Sequence, residues 1–129
     1  MRTFGWAIGL LMLAAAPATA AENRFERSLQ MLAPAERLEQ LCNYTVITRI
    51  HKDDRNFRPD RAVANATAEP RVRADTIEAT GAAFRSRGNW YALSFTCTAT
   101  PDHMTVVSFH YTIGAGIPEA KWASDRLWE

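Results

Sequence analysis

The residues through which this chain could do chemistry are two cysteines (Cys42 and Cys97), three histidines (His51, His103 and His110) and the arginines of its middle third. Neither cysteine sits in a C-x-x-C or beside a base, as redox or nucleophilic work would require. In an oxidising compartment the two read as one disulfide, Cys42–Cys97. In the chain-entropy account, closing a loop of that length stabilises a domain by about 4 kcal/mol. The histidines lack H-x-H and H-x₃-H spacing, so no metal site is assigned, and no cofactor is implied. Asp102-His103 follows Pro101, and a Pro-Asp step is turn chemistry, with neighbouring side chains pointing apart, rather than an acid–base pair. Ser94 lacks the G-x-S-x-G elbow of a serine hydrolase, so no catalytic residue is assigned. The sequons at Asn43 and Asn65 would matter only in a eukaryotic secretory pathway.

The compartment is read from the N-terminus. Arg2 precedes an apolar run from Trp6 to Ala16, and Pro17-Ala18-Thr19-Ala20 supplies an A-x-A site, the pattern of a secretory signal peptide cleaved after Ala20. The run is about half the roughly 20 residues that span a bilayer, so no membrane span is expected after cleavage. Residues 1–20 are thus a leader and 21–129 a single domain, large enough for one core, in the periplasm or secreted.

Without Arg2 the formal charge balances, but it is segregated. Residues 55–87 hold seven arginines (Arg55, Arg58, Arg61, Arg71, Arg73, Arg85, Arg87) against four acids, while the flanking segments lean acidic. The guanidinium fork suits carboxylate or phosphate. Export argues against nucleic acid, which leaves lipid headgroups, acidic polysaccharide, peptide carboxylates or the protein's own acids as partners.

The elements that must position these groups follow from periodicity. Phe25, Leu29 and Leu32 mark a short first helix, and Pro34 fits the first position of a second helix running to about Ile50. The stripe Leu38, Cys42, Val46 and Ile50 puts Cys42 on the buried face, with Arg49 near its edge and in need of an acid or of water. Strands are expected over Arg61–Thr67, Thr76–Arg87, Trp90–Thr100 and Met104–Ile113. Gly88-Asn89 reads as a two-residue hairpin loop, which pairs Arg87 with Trp90. That register gives Phe84, Tyr91, Leu93, Phe95 and Cys97 to the core. It would bury Glu78 unless a bulge falls near Gly81. An odd-length loop around Pro101-Asp102-His103 keeps Val107, Phe109, Tyr111 and Ile113 on the core side, with Cys97 opposite Val107; an even loop would bury Ser108 and His110. Gly114 and Gly116 end the sheet, and Ile117-Pro118 opens a short terminal helix carrying Trp122, with Leu127 and Trp128 as anchors. The expected fold is α+β: N-terminal helices on one face of a four-stranded antiparallel meander, stapled to it by the disulfide.

Leu32-Ala33-Pro34, Arg37-Leu38-Glu39-Gln40 leading to Cys42, Phe57-Arg58-Pro59-Asp60-Arg61, Gly81 to Gly88 followed by Trp90-Tyr91, Pro101-Asp102-His103 and Ile117-Pro118 with Trp122 resemble an uncharacterised family of exported rhizobial and related alphaproteobacterial proteins, domain of unknown function 930. The resemblance implies a Gram-negative periplasmic or secreted setting and supplies no activity. Ala33 and Asn43 stand where the family pattern has aspartates, the first weakening a helix cap.

The register gathers Arg85, Arg87, Trp90, Ser94, His110 and Thr112 on the outer sheet face around Ala83, Ala92 and Thr96. Small floor residues, flanking cations and an exposed ring would cradle an anionic or saccharide ligand. The plain alternative is a solvated face with Arg87 and Trp90 as a cross-strand pair. Three function classes follow. The first is a non-catalytic envelope binding module using that face. The second is an inhibitor or chaperone-like partner of an exported protein, using the tips at Gly88-Asn89 and Pro101-Asp102-His103. The third is a hydrolase or lyase built on His110, Arg85 and Asp60.

Overall fold

The computed structural model describes residues 19–129, so most of the expected leader lies outside the described residues. Helix α1 (Ala20–Gln30) opens on a capping box in which Thr19 Oγ1 accepts the Glu22 N–H and Glu22 accepts the Thr19 N–H. The expected cut after Ala20 falls inside this first turn. Helix α2 (Pro34–Asp53) begins at Pro34, and Ala33 offers no side-chain cap. Arg37 ties the junction instead. Its guanidinium donates to the carbonyls of Leu29 (2.9 Å), Gln30 (3.3 Å) and Leu32 (3.0 Å), where α1 ends, and to that of Asp102 (2.9 Å).

Five antiparallel strands follow: β1 (Pro59–Val63), β2 (Arg71–Arg73), β3 (Thr76–Ser86), β4 (Asn89–Ala99) and β5 (Val106–Gly116). The sheet order is β1-β3-β4-β5, with β2 pairing the start of β3 on the side where β1 pairs its end. The α+β architecture stands, with one strand more than the four expected. Leu38, Leu41, Cys42, Val46 and Ile50 of α2 pack on Ile77, Ala79, Phe84, Phe95, Cys97 and Phe109 of the sheet. The Cys42–Cys97 disulfide joins the two layers with both residues fully buried. Arg49 lies 3.9 Å from Asp53 with its guanidinium over the Phe109 ring.

The bulge falls where expected: Ala79 pairs Phe95 and Ala82 pairs Leu93, so Thr80 and Gly81 together oppose Ser94. The glycine is required by a close approach. A Cβ there would collide with the Ala68 backbone nitrogen, because the loop after β1 crosses Gly81 and donates from Ala66 and Thr67 to its carbonyl.

The two hairpins correct the expected registers. The first loop is Arg87-Gly88, not Gly88-Asn89. Both residues have positive φ (50° and 79°), the I′ geometry that matches strand twist. Trp90 therefore pairs with Arg85 rather than Arg87, but the shift is two residues, so the faces are unchanged. In the second hairpin Ala99 pairs Val106, leaving an even loop of residues 100–105. Val107 then bulges out, 66% exposed, and restores the parity that buries Phe109. Cys97 accordingly lies opposite Phe109, not Val107.

Candidate functional site

On the outer face of β3 and β4 the arrangement around Trp90 is a second core. Trp90 is 0% exposed, so it is not the open stacking ring the sequence suggests. After Gly116 the chain turns back across the sheet, with the Ile117 N–H donating to the Trp90 carbonyl at 2.8 Å, and passes through a single 3₁₀ turn (Glu119–Lys121). It seats Trp122 and Leu127 beside Trp90, Ala83 and Ala66. The indole N–H of Trp90 donates to the Trp128 carbonyl at 2.7 Å, and the two indoles meet edge to face at 5.3 Å. Small residues under this patch are a socket for the protein's own tryptophans. The sequence signal was the bulk of Trp122, Leu127 and Trp128 downstream, assigned to a terminal helix but to no surface of the sheet.

Arg85 is consumed in the same region. Its Nε donates to Asp60 Oδ1 (3.0 Å) and its Nη2 to Asp60 Oδ2 (2.7 Å), a bidentate pair, with the guanidinium 6.0 Å from the Trp90 ring centre. Its hydrogen bond holds the Asp60 carboxyl below the usual aspartate value and raises the Arg85 pKa in turn. The side chains are 13% and 51% exposed, so a guanidinium expected to meet a ligand instead meets an internal acid. Arg87 sits in the hairpin turn, off the sheet face.

Ser94 and His110 remain together on the uncovered half. Ser94 pairs Thr112, Thr96 pairs both Glu78 and His110, and Thr98 pairs both Thr76 and Ser108. Ser94, Thr96, Thr80, Thr112, Glu78 and His110 border a shallow depression of about 330 Å³. On its β2 side, Arg71 pairs Glu78 and Arg73 pairs Thr76, so these two arginines stand beside the depression, at the opposite end of β3 from Arg85 and Arg87. Ser94 and His110 are diagonal neighbours across β4 and β5, and no hydrogen bond joins their side chains among the described residues.

A family model described as a domain of unknown function, DUF930, matches residues 29–127. The chain belongs to that family. The DUF930 match begins at Leu29, the buried anchor of α1, and ends at Leu127, the buried anchor of the returning C-terminal segment. The sealed half of the face is thus as much part of the DUF930 unit as the helix-covered core. No curated protein and no solved structure matches the chain.

The remaining histidines lie elsewhere. His51 is exposed in the last turn of α2. His103 is turned inward from the β4–β5 hairpin, with Nδ1 2.6 Å from the Pro34 carbonyl and Nε2 2.8 Å from Asp75 Oδ1. A carbonyl only accepts, so Nδ1 donates. Asp102 turns the other way and accepts from Thr100 Oγ1 and the Met104 N–H, which lower its pKa. The pair is therefore a turn residue beside a latch. Among the described residues, no helix is long and apolar enough to cross a membrane, and no three His, Cys, Asp or Glu side chains gather as metal ligands would.

Proposed function

We propose that this DUF930 domain is an exported, non-catalytic binding module whose open sheet half takes an envelope saccharide bearing acidic groups. The observation that carries the reading is the contrast on one face: the protein covers the apolar half with its own C-terminal segment and leaves the hydroxyl-rich half bare. Ser94, Thr80, Thr96 and Thr112 present hydroxyl donors and acceptors, His110 borders them on β5, and Arg71 and Arg73 flank them on β2. The Cys42–Cys97 bridge supports an oxidising destination. Leader cleavage after Ala20 and a periplasmic setting belong to this reading.

Chemical-shift titration of the isotope-labelled, oxidised domain with neutral and acidic cell-envelope oligosaccharides tests it. Shifts confined to residues 78–80, 94–96 and 108–112, weakened by Arg71→Ala with Arg73→Ala, are the expected result. Shifts absent for every oligosaccharide, or confined to the helix side, would remove the reading. A protein partner recovered in stoichiometric amounts would favour the inhibitor or chaperone-like role. Of its two hairpin tips, that of residues 100–105 is held to the body by His103 and Asp102, leaving Arg87-Gly88 as the protruding one.

A further inference from the structure

A second cationic site lies away from the saccharide face, where α2 ends. His51, Lys52, Arg55, Phe57 and Arg58 line a cavity of about 580 Å³. His51 and Lys52 occupy the last turn of α2, where cations answer the negative end of the helix dipole, so their presence has a structural cause. That cause does not extend to Arg55 and Arg58, which follow the helix cap at Asp54.

The loop that carries these arginines is pinned. The Phe57 N–H donates to the Asp54 carbonyl (3.2 Å), the Asn56 N–H to Asp54 Oδ1 (2.9 Å), and the Arg58 N–H to the Oγ of buried Ser86 (2.8 Å). The Phe57 ring stands edge-on to Phe84 and Tyr91 at 5.2 and 5.1 Å, which fixes the apolar member of the cavity lining. The neighbouring carboxylates are engaged elsewhere. Asp53 accepts the Tyr111 O–H at 2.8 Å, and Tyr111 is pushed up to about 12 by burial and by that acceptor. Asp54 serves its own turn. Among the described residues, no carboxylate lies within 4.0 Å of the side-chain nitrogens of His51, Lys52, Arg55 or Arg58. Arg71 and Arg73, by contrast, share their patch with Glu78.

We propose that this cavity binds a phosphoryl oxyanion on an organic group, with Arg55 and Arg58 forking its oxygens, Lys52 adding a point charge and Phe57 meeting the carbon side of the ester. A soluble phosphate ester and a phospholipid headgroup share that chemistry.

Calorimetry with inorganic phosphate and with glycerol 3-phosphate, and flotation with phosphatidylglycerol against phosphatidylcholine vesicles, distinguish the sources. Saturable glycerol 3-phosphate binding, tighter than that of inorganic phosphate, assigns a soluble ester. Binding confined to phosphatidylglycerol vesicles assigns a headgroup. In either case Arg55→Ala with Arg58→Ala weakens binding about tenfold or more, the loss of a charge-assisted hydrogen bond, while the melting curve stays in place because both side chains are exposed. Arg55→Lys with Arg58→Lys retains part of the affinity, since charge survives and the fork does not. Arg71→Ala with Arg73→Ala leaves it unchanged. No binding of any of these probes, binding indifferent to the Arg55 and Arg58 changes, or equal weakening by the Arg71 and Arg73 changes overturns the proposal.

Discussion

Trp90 and Ser94 stand four residues apart on β4 and point to the same side of the sheet, yet one is wholly buried and the other borders open solvent. Around Trp90 the neighbours are Ala83 and Ala66, whose small side chains leave room for an indole and for Trp122 and Leu127 to close over it. Around Ser94 they are Thr80, Thr96 and Thr112, whose hydroxyls keep their hydrogen bonds in water and would lose them under an apolar cover. The segment after Gly116 covers the half where burial is favourable. A floor of small residues is thus equally good evidence for an external ligand and for an internal plug, and bulky side chains downstream with no assigned surface decide between them.

The sharpest way to break the comparison is Trp90→Ala. It removes a fully buried indole, its hydrogen bond to Trp128 and the seat of Trp122, so a loss of about 3–5 kcal/mol is expected in denaturant unfolding. A loss under about 1 kcal/mol would mean that the C-terminal segment does not seal this half in solution. Gly81→Ala acts at the crossing that brings residues 66–68 onto the same face. Its new methyl must displace backbone at Ala68, and overpacking of this kind costs about 1–3 kcal/mol.

Arg85→Ala comes next, at about 1 kcal/mol near neutral pH, the upper end for a bidentate pair whose acid is half exposed. The Asp60 carboxyl is held below its ordinary value of 3.8, so its contribution is complete above that value and fades as pH falls through the lower, folded-state one. The stability difference between the protein and Arg85→Ala should therefore shrink on acidification below pH 3.8. A constant difference would show that Arg85 acts through its packing on Trp90 and not through the ion pair.

Much of this layout was legible because side-chain alternation constrains parity more tightly than it constrains pairing. The bulge at Thr80-Gly81 followed from keeping Ile77 and Ala79 inside and Glu78 outside. The first hairpin slipped by two residues, which no face argument can detect, and the turn alone held the answer: a I′ loop needs positive φ at both positions, which Gly88 adopts without a Cβ penalty and Arg87 adopts at 50°. In the second hairpin an even loop and the Val107 bulge cancelled, so the right face came from the wrong loop length. Strand β2 escaped because three residues, Arg71-Val72-Arg73, are all exposed and too few to show a period. The open pair Ser94 and His110 was legible from register, whereas the burial of Trp90 and the capture of Arg85 depended on contacts 25 to 38 residues away in sequence.

Ser94→Ala with His110→Ala is the counterpart of Trp90→Ala on the uncovered half, and its expected effect on stability is the smallest. Neither side chain has a hydrogen-bond partner within the described residues, and neither packs in either apolar cluster. Removing them should leave unfolding within about 0.5 kcal/mol, as for surface positions without structural duties. A two-residue change that is silent in unfolding but weakens oligosaccharide binding would separate recognition from architecture on one strand. If the same change instead destabilised the domain by more than about 1 kcal/mol, the depression would be part of the scaffold, and the distinction between sealed and open halves would lose its functional meaning.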